Sequence, residues 1–228
     1  MRAAVAITAA PIVVAAAFAF SATTRVFWWL NGEDRAVEWL QFIILGVATV
    51  LFAVVAARST RGSIVAGAIA GFVTLVLFFV AGEEISWGQR VFGWGTPERL
   101  ERINYQSETT IHNVGELHAL FVYGVATVGL YGAVAPIAWS AFAQGPARTP
   151  VMRLLVPPLF LAPYFALPFV YRSVRLLFAP ETWFPQYIGA IVEFAEVTEL
   201  CLYVGVALFG LFLWRVTRHT SGSEALSG

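Results

Sequence analysis

The chain is predicted to be an all-α integral membrane bundle of six transmembrane helices, a single domain over residues 1–228. Three observations predict it. Some 59% of the residues are hydrophobic and 12% charged, with a mean hydropathy of +0.75, whereas a soluble domain carries about a quarter charged residues. Six apolar runs, at residues 3–22, 36–57, 63–81, 115–139, 154–171 and 187–214, approach the roughly 20 residues needed to cross hydrocarbon. The arginines, finally, lie in the links and flanks of those runs, seven on each side once the runs are threaded, so orientation is carried by the short links and not by the sum.

Composition also excludes. All fourteen basic residues are arginine, which removes lysine Schiff-base chemistry and leaves guanidinium groups as the strong cations. A formal net charge of zero without a basic block argues against a nucleic-acid partner. The single cysteine, Cys201, admits no intramolecular disulfide.

Taken in order, the first run is Ala-rich, follows Arg2, and its small residues at Ala17, Ala19 and Ser21 also fit a cleavable signal. A polar link follows, with Phe27, Trp28 and Trp29 as interface aromatics and Glu33 and Asp34 complementing the dipole of the second span. That span starts with Glu38 and leaves into Arg58 and Arg61. The third carries Gly67 and Gly71 at GxxxG spacing, which permits close helix contact.

Residues 82–113 stand apart, since charge is concentrated there between hydrocarbon runs. Thr96, Pro97 and Glu98 read as N-cap, N1 proline and first-turn acid. Leu100, Ile103 and Tyr105 against Arg99, Glu101 and Arg102 predict a short amphipathic helix in the interface. The fourth span begins near Gly115, and 140–153 reads as an ordinary loop. Pro157, Pro158, Pro163 and Pro168 predict that the fifth span is kinked or broken, with freed carbonyls seeking partners. A link over 172–186 with Arg172 and Arg175 precedes the sixth span, which ends at Arg215, Arg218 and the solvated His219.

Six spans place both termini on one side. With that side cytoplasmic, Arg2, Arg58, Arg61, Arg148, Arg153, Arg215 and Arg218 are inside, as short-loop statistics prefer, so a multipass inner-membrane protein with cytoplasmic termini is expected. Thirteen of the fourteen acids, all but Glu224, then fall in outer links or outer halves of spans. Acids contribute little to orientation, so their asymmetry needs a separate cause.

Some of these acids sit inside spans. Glu193, Glu196 and Glu199 follow at i,i+3 spacing along span six, and an ionised carboxylate there costs on the order of 3 kcal/mol unless partnered. Glu108, His112 and Glu116 form an i,i+4,i+8 stripe if the fourth helix begins early. Together with Glu38, Glu83 and Glu84 they predict an acidic pocket between spans two, three, four and six. Such a pocket needs cations, supplied by Arg35, Arg90, Arg172 and Arg175 or by a divalent metal. The metal ligands are expected among His112, Glu193, Glu196, Glu38, Glu116 and Glu199. Glu83 or Glu84 would be the general base and Arg90 the anion clamp. Ser86 has no histidine base near it in sequence, and His118 reads as an ordinary helix residue.

The segment EEISWGQRVFGW, followed by TPE and ETTIHN and preceded by EDRAVEW, resembles a group of bacterial multipass membrane proteins. The resemblance implies a membrane bundle and brings no activity with it. A looser similarity is to the CAAX-type glutamate intramembrane proteases, whose motif has two glutamates followed by an arginine four positions after the second. Here Arg90 comes six positions after Glu84, and the family's phenylalanine-to-histidine spacing does not follow.

These readings predict a metal-dependent hydrolase or transferase acting on a lipid-linked or membrane-proximal substrate. A proton- or cation-coupled transporter, and a non-enzymatic subunit whose acids pair with a membrane-protein partner, are the alternatives. Acids gathered near one surface favour the enzyme; acids at mid-membrane favour transport.

Overall fold

The computed structural model describes residues 2–31, 35–104, 108–142 and 149–224; Glu33, Asp34, Tyr105 and Arg148 lie outside them. At Arg2, Arg90, Glu116, Glu181 and His219 the backbone alone is described. The described residues are helical throughout apart from loops and one isolated bridge between Asn104 and Val114.

The chain begins with α1 (Arg2–Ser21) and a short α2 (Arg25–Asn31). Phe27 is not an interface aromatic but fully buried, edge-on to both Phe18 and Trp28, so α2 folds back onto the end of α1. Next come α3 (Ala36–Ser59) and α4 (Ile64–Glu84), a hairpin whose second helix is capped by Ser63 accepting from the Ala66 amide. Of the GxxxG pair, Gly67 makes room for Thr60 in that hairpin turn, where a Cβ would lie 2.2 Å from its hydroxyl, while a Cβ at Gly71 would meet nothing within 4 Å. The pair therefore serves the turn and not a helix–helix seam.

The predicted interfacial helix is shorter than its pattern. Among the described residues of that segment, a 3-10 turn at Ser86–Gly88 and the single-turn helices α5 (Gln89–Phe92) and α6 (Glu98–Glu101) form. Thr96 does not cap α6; Pro97 holds the cap position, and the Thr96 hydroxyl accepts instead from Gln89 Nε2 at 2.7 Å.

The long α7 (Gly115–Phe142) starts only at Gly115, so Glu108, His112 and Glu116 are not a helical stripe. Residues 108–114 are loop because tertiary bonds compete with the helix ladder: Asn104 Nδ2 donates to the Thr110 carbonyl, and Glu83 accepts from the Ile111 and His112 amides. The link after it is not plain loop, since α8 (Pro150–Leu155) begins with Thr149 as cap and proline in its first turn.

The fifth span breaks as predicted. Val156 is extended ahead of Pro157 and Pro158, and the chain resumes in α9 (Ala162–Phe178). The Leu155 carbonyl freed by the break accepts from the Tyr131 hydroxyl of α7 at 2.8 Å. The helix does not stop at Tyr171, however. It runs until Ala179, at φ 39°, and Pro180, so Arg172 and Arg175 are helical residues aimed by packing instead of loop residues. After the one-turn α10 (Pro180–Trp183), α11 (Ile188–Glu224) closes the fold.

Five segments, Ala36–Ser59, Ile64–Glu84, Leu117–Phe142, Pro150–Phe178 and Pro185–Arg218, are long and apolar enough to cross a membrane, and Val5–Ser21 is a shorter apolar helix. α11 is the hub, with 61% of its most apolar window buried against 22% for the peripheral α7. It packs between α3 and α9; α4 flanks α3, α7 flanks α9, and α1 lies against α9 and α11. The α7–α9 contact needs glycine: a Cβ at Gly132 would sit 2.2 Å from the Phe165 ring. Leu45, Phe52, Leu161, Phe165, Leu202 and Phe209 fill the centre of the bundle.

Candidate functional site

The residues GEEISWGQ fold as a unit at the end of α4. Gly82 lets the Trp87 ring approach to where a Cβ would be 2.9 Å away, and Trp87 Nε1 donates to Glu83 Oε1 at 2.5 Å. To bring the indole there, Ser86 (φ 49°) and Trp87 (φ 55°) both adopt the left-handed conformation before Gly88 (φ 84°). That backbone costs about 1–2 kcal/mol per non-glycine residue, so the contacts around it must hold it in place.

Glu83 provides those contacts. Only 3% exposed, its Oε2 accepts from the Ile111 amide (2.7 Å), the His112 amide (2.9 Å) and His112 Nδ1 (3.0 Å). One carboxylate thus joins α4, the Trp87 turn and the loop ahead of α7. Facing a carboxylate, His112 Nδ1 is the nitrogen that donates, and Nε2 is the second ring nitrogen. Ser86 joins the same loop, its hydroxyl donating to Glu108 Oε2 at 2.8 Å.

The neighbouring Glu84 points the other way around the helix. Its Oε1 accepts from the Tyr203 hydroxyl of α11 at 2.9 Å. One turn back along α11, Glu199, 5% exposed, is ion-paired with Arg172 of α9, and two turns back Glu196 Oε2 accepts from Gln41 Nε2 of α3 at 3.1 Å. Tyr171 stiffens this wall: its hydroxyl donates to the Ile191 carbonyl, and its ring lies 5.6 and 6.0 Å from the guanidinium carbons of Arg172 and Arg175.

These groups surround one cavity of about 220 Å³. Of the acids singled out from sequence, Glu38, Glu83, Glu84, Glu108, Glu193, Glu196 and Glu199 line it together with His112. Arg172 and Arg175 line it; Arg35 does not, and the side chain of Arg90, like that of Glu116, lies outside the described residues. His118, read from sequence as an ordinary helix residue, lines the cavity from the first turn of α7, and sequence reasoning passed over Tyr203 and Gln41, which bond Glu84 and Glu196. The signal for the latter two was helical spacing, since Gln41 follows Glu38 by three residues and Tyr203 follows Glu199 by four.

Among the described residues, no three His, Cys, Asp or Glu side chains are grouped as a ready-made metal site. Glu193, Glu196 and His112 share the cavity wall without forming such a group. The cavity ends where the apolar centre begins: beyond Glu199 and Gln41 come Leu202, Leu45 and Phe52, all buried. Comparison with protein-family models, curated proteins and solved structures found no match to this chain.

Proposed function

We propose that the protein is a membrane-embedded hydrolase or transferase whose reaction takes place in the acid-lined cavity, on a lipid-linked or membrane-proximal substrate. One observation carries the reading: carboxylates from α3, α4 and α11 converge with a carboxylate-oriented histidine and two arginines around a single cavity. In this reading Glu83 is a positioning residue that holds His112. Glu84 and His112 Nε2 are the proton-transfer groups that activate water or a substrate hydroxyl, and Arg172 and Arg175 take over the anion-binding role first assigned to Arg90. Acids outnumber arginines around the cavity, so protons or a divalent ion at the carboxylates Glu193 and Glu196 supply the remaining positive charge.

The arrangement in the membrane belongs to the same proposal. α1 is the sixth crossing, both termini are cytoplasmic in a bacterial inner membrane, and the cavity opens outward. The apolar plug of Leu45, Phe52, Leu202 and Phe209 between the cavity and the opposite end favours a one-sided site over a transport path.

The test is turnover of lipid phosphates and esters by purified protein beside Glu84→Gln, in buffer with and without chelator. The expected outcome is an activity lowered about 10²–10⁴-fold in the variant. Loss on chelation, with recovery on adding one divalent ion, assigns the cationic charge to a metal; survival assigns it to protons. Equal turnover in parent and variant overturns the role of Glu84.

A further inference from the structure

Two larger cavities adjoin the acidic one, and both share Arg175 with it. The first, about 460 Å³, lies between α7 and α9 and is walled by Ala119, Val122, Ala126 and Phe169; it also contains His118 and Arg172. The second, also about 460 Å³, lies on the other side of α9, against α11 and the end of α1, walled by Val174, Ile191 and Phe194. Leu120, Tyr123 and Leu176 beside the first are exposed, so in a bilayer it opens sideways into hydrocarbon.

Polarity therefore changes in a fixed order across the protein. Apolar grooves on both sides of α9 come first, then the arginine pair on α9, then the carboxylates Glu193, Glu196, Glu38 and Glu84 on the far wall. A phospholipid bearing a primary ammonium has the same order: acyl chains, phosphate, cation. We infer that the site takes an amino-phospholipid laterally from the bilayer through the α7–α9 groove, with its chains against Ala119, Val122 and Phe169, its phosphate on Arg172 and Arg175, and its ammonium among the acids. The inference rests on the functional reading above and names its substrate class.

Charge complementarity selects this occupant. An anionic headgroup would satisfy the arginines and then face at least four carboxylates, whereas a zwitterion meets both walls with opposite charge. A primary ammonium also donates three hydrogen bonds to carboxylates, which a quaternary ammonium cannot do.

The experiment measures binding separately from turnover. Delipidated protein in detergent is titrated with phosphatidylethanolamine, phosphatidylcholine or phosphatidylglycerol, and retained lipid is read by native mass spectrometry. Phosphatidylethanolamine should be retained at about tenfold lower concentration than the other two. Arg175→Gln should weaken all three, Glu193→Gln should abolish the preference for the primary ammonium, and Ala119→Trp, which fills one groove without touching the charged wall, should weaken all three again. Equal or tighter binding of phosphatidylglycerol overturns the inference, as does parent-like binding by both Arg175→Gln and Ala119→Trp. Selective binding without turnover of any lipid leaves the inference standing and defeats the enzymatic reading. Turnover of water-soluble esters without lipid selectivity does the reverse.

Discussion

The two ends of the bundle handle charge in opposite ways. At one end, carboxylates on α4 and α11 face inward and are tied to Gln41, Tyr203, Arg172, Trp87 and His112. At the other, Arg58 lies over the Trp214 ring at 5.7 Å and donates to the Trp214 carbonyl, while Arg218 lies at the same distance from that ring. Long guanidinium side chains can run along an aromatic ring and still reach water, so they sit at the end of an apolar bundle at little cost. Short carboxylates turned inward have no such escape. Both ends are joined by contacts between distant parts of the chain, Arg58 of α3 reaching Trp214 of α11 among them, but Glu83 and Glu199 are buried and depend on those partners, whereas Arg58 is half-buried and Arg218 exposed.

Breaking the contrast at its deepest ion pair should give the largest effect. Arg172→Ala leaves Glu199, 5% exposed, without its guanidinium and should lower stability by about 3–5 kcal/mol. The check is thermal unfolding in detergent, with an Arg172→Met, Glu199→Leu double variant expected to recover most of the loss. At the arginine end the matching change should be small. Arg58→Gln gives up a half-wet ring contact and one long hydrogen bond, and should shift stability by less than about 1 kcal/mol in the same assay.

The same contrast explains what could be read from sequence. Glu193, Glu196 and Glu199 were legible because carboxylates inside an apolar run must face a polar interior, and their i,i+3 spacing holds in α11. The broken fifth span was legible from Pro157 and Pro158, whose effect on the helix is local. The loop over 108–114 was not. Helical spacing of Glu108, His112 and Glu116 is real in the sequence, but Glu83, some thirty residues earlier, captures the backbone amides that a helix would need. Arg172 and Arg175 were read as a link because charge usually ends a span; nothing local shows that their charge would be met by Glu199, 27 residues on. The left-handed Ser86 and Trp87 carry no local signal either, since glycine or asparagine would be expected there.

Glu83 and Glu84 are adjacent in sequence and divide the two kinds of work between them: Glu83 is committed to four N–H donors, while Glu84 accepts one hydroxyl and faces the cavity. Glutamine cannot replace Glu83 in either orientation, because its amide would direct N–H bonds at Trp87 Nε1 or at the Ile111 and His112 donors. Glutamine at Glu84 still offers an oxygen to Tyr203 and removes one charge from a crowded set of acids.

Melting temperatures of Glu83→Gln and Glu84→Gln, measured side by side with the parent in one detergent, therefore test the account most directly. The expected result is a drop for Glu83→Gln, worth about 1–3 kcal/mol, with faster proteolysis in the 108–114 loop, and a melting temperature at or above the parent for Glu84→Gln. Equal destabilisation by both substitutions would mean that the two acids are structural alike, and would contradict the assignment of the cavity as a functional site.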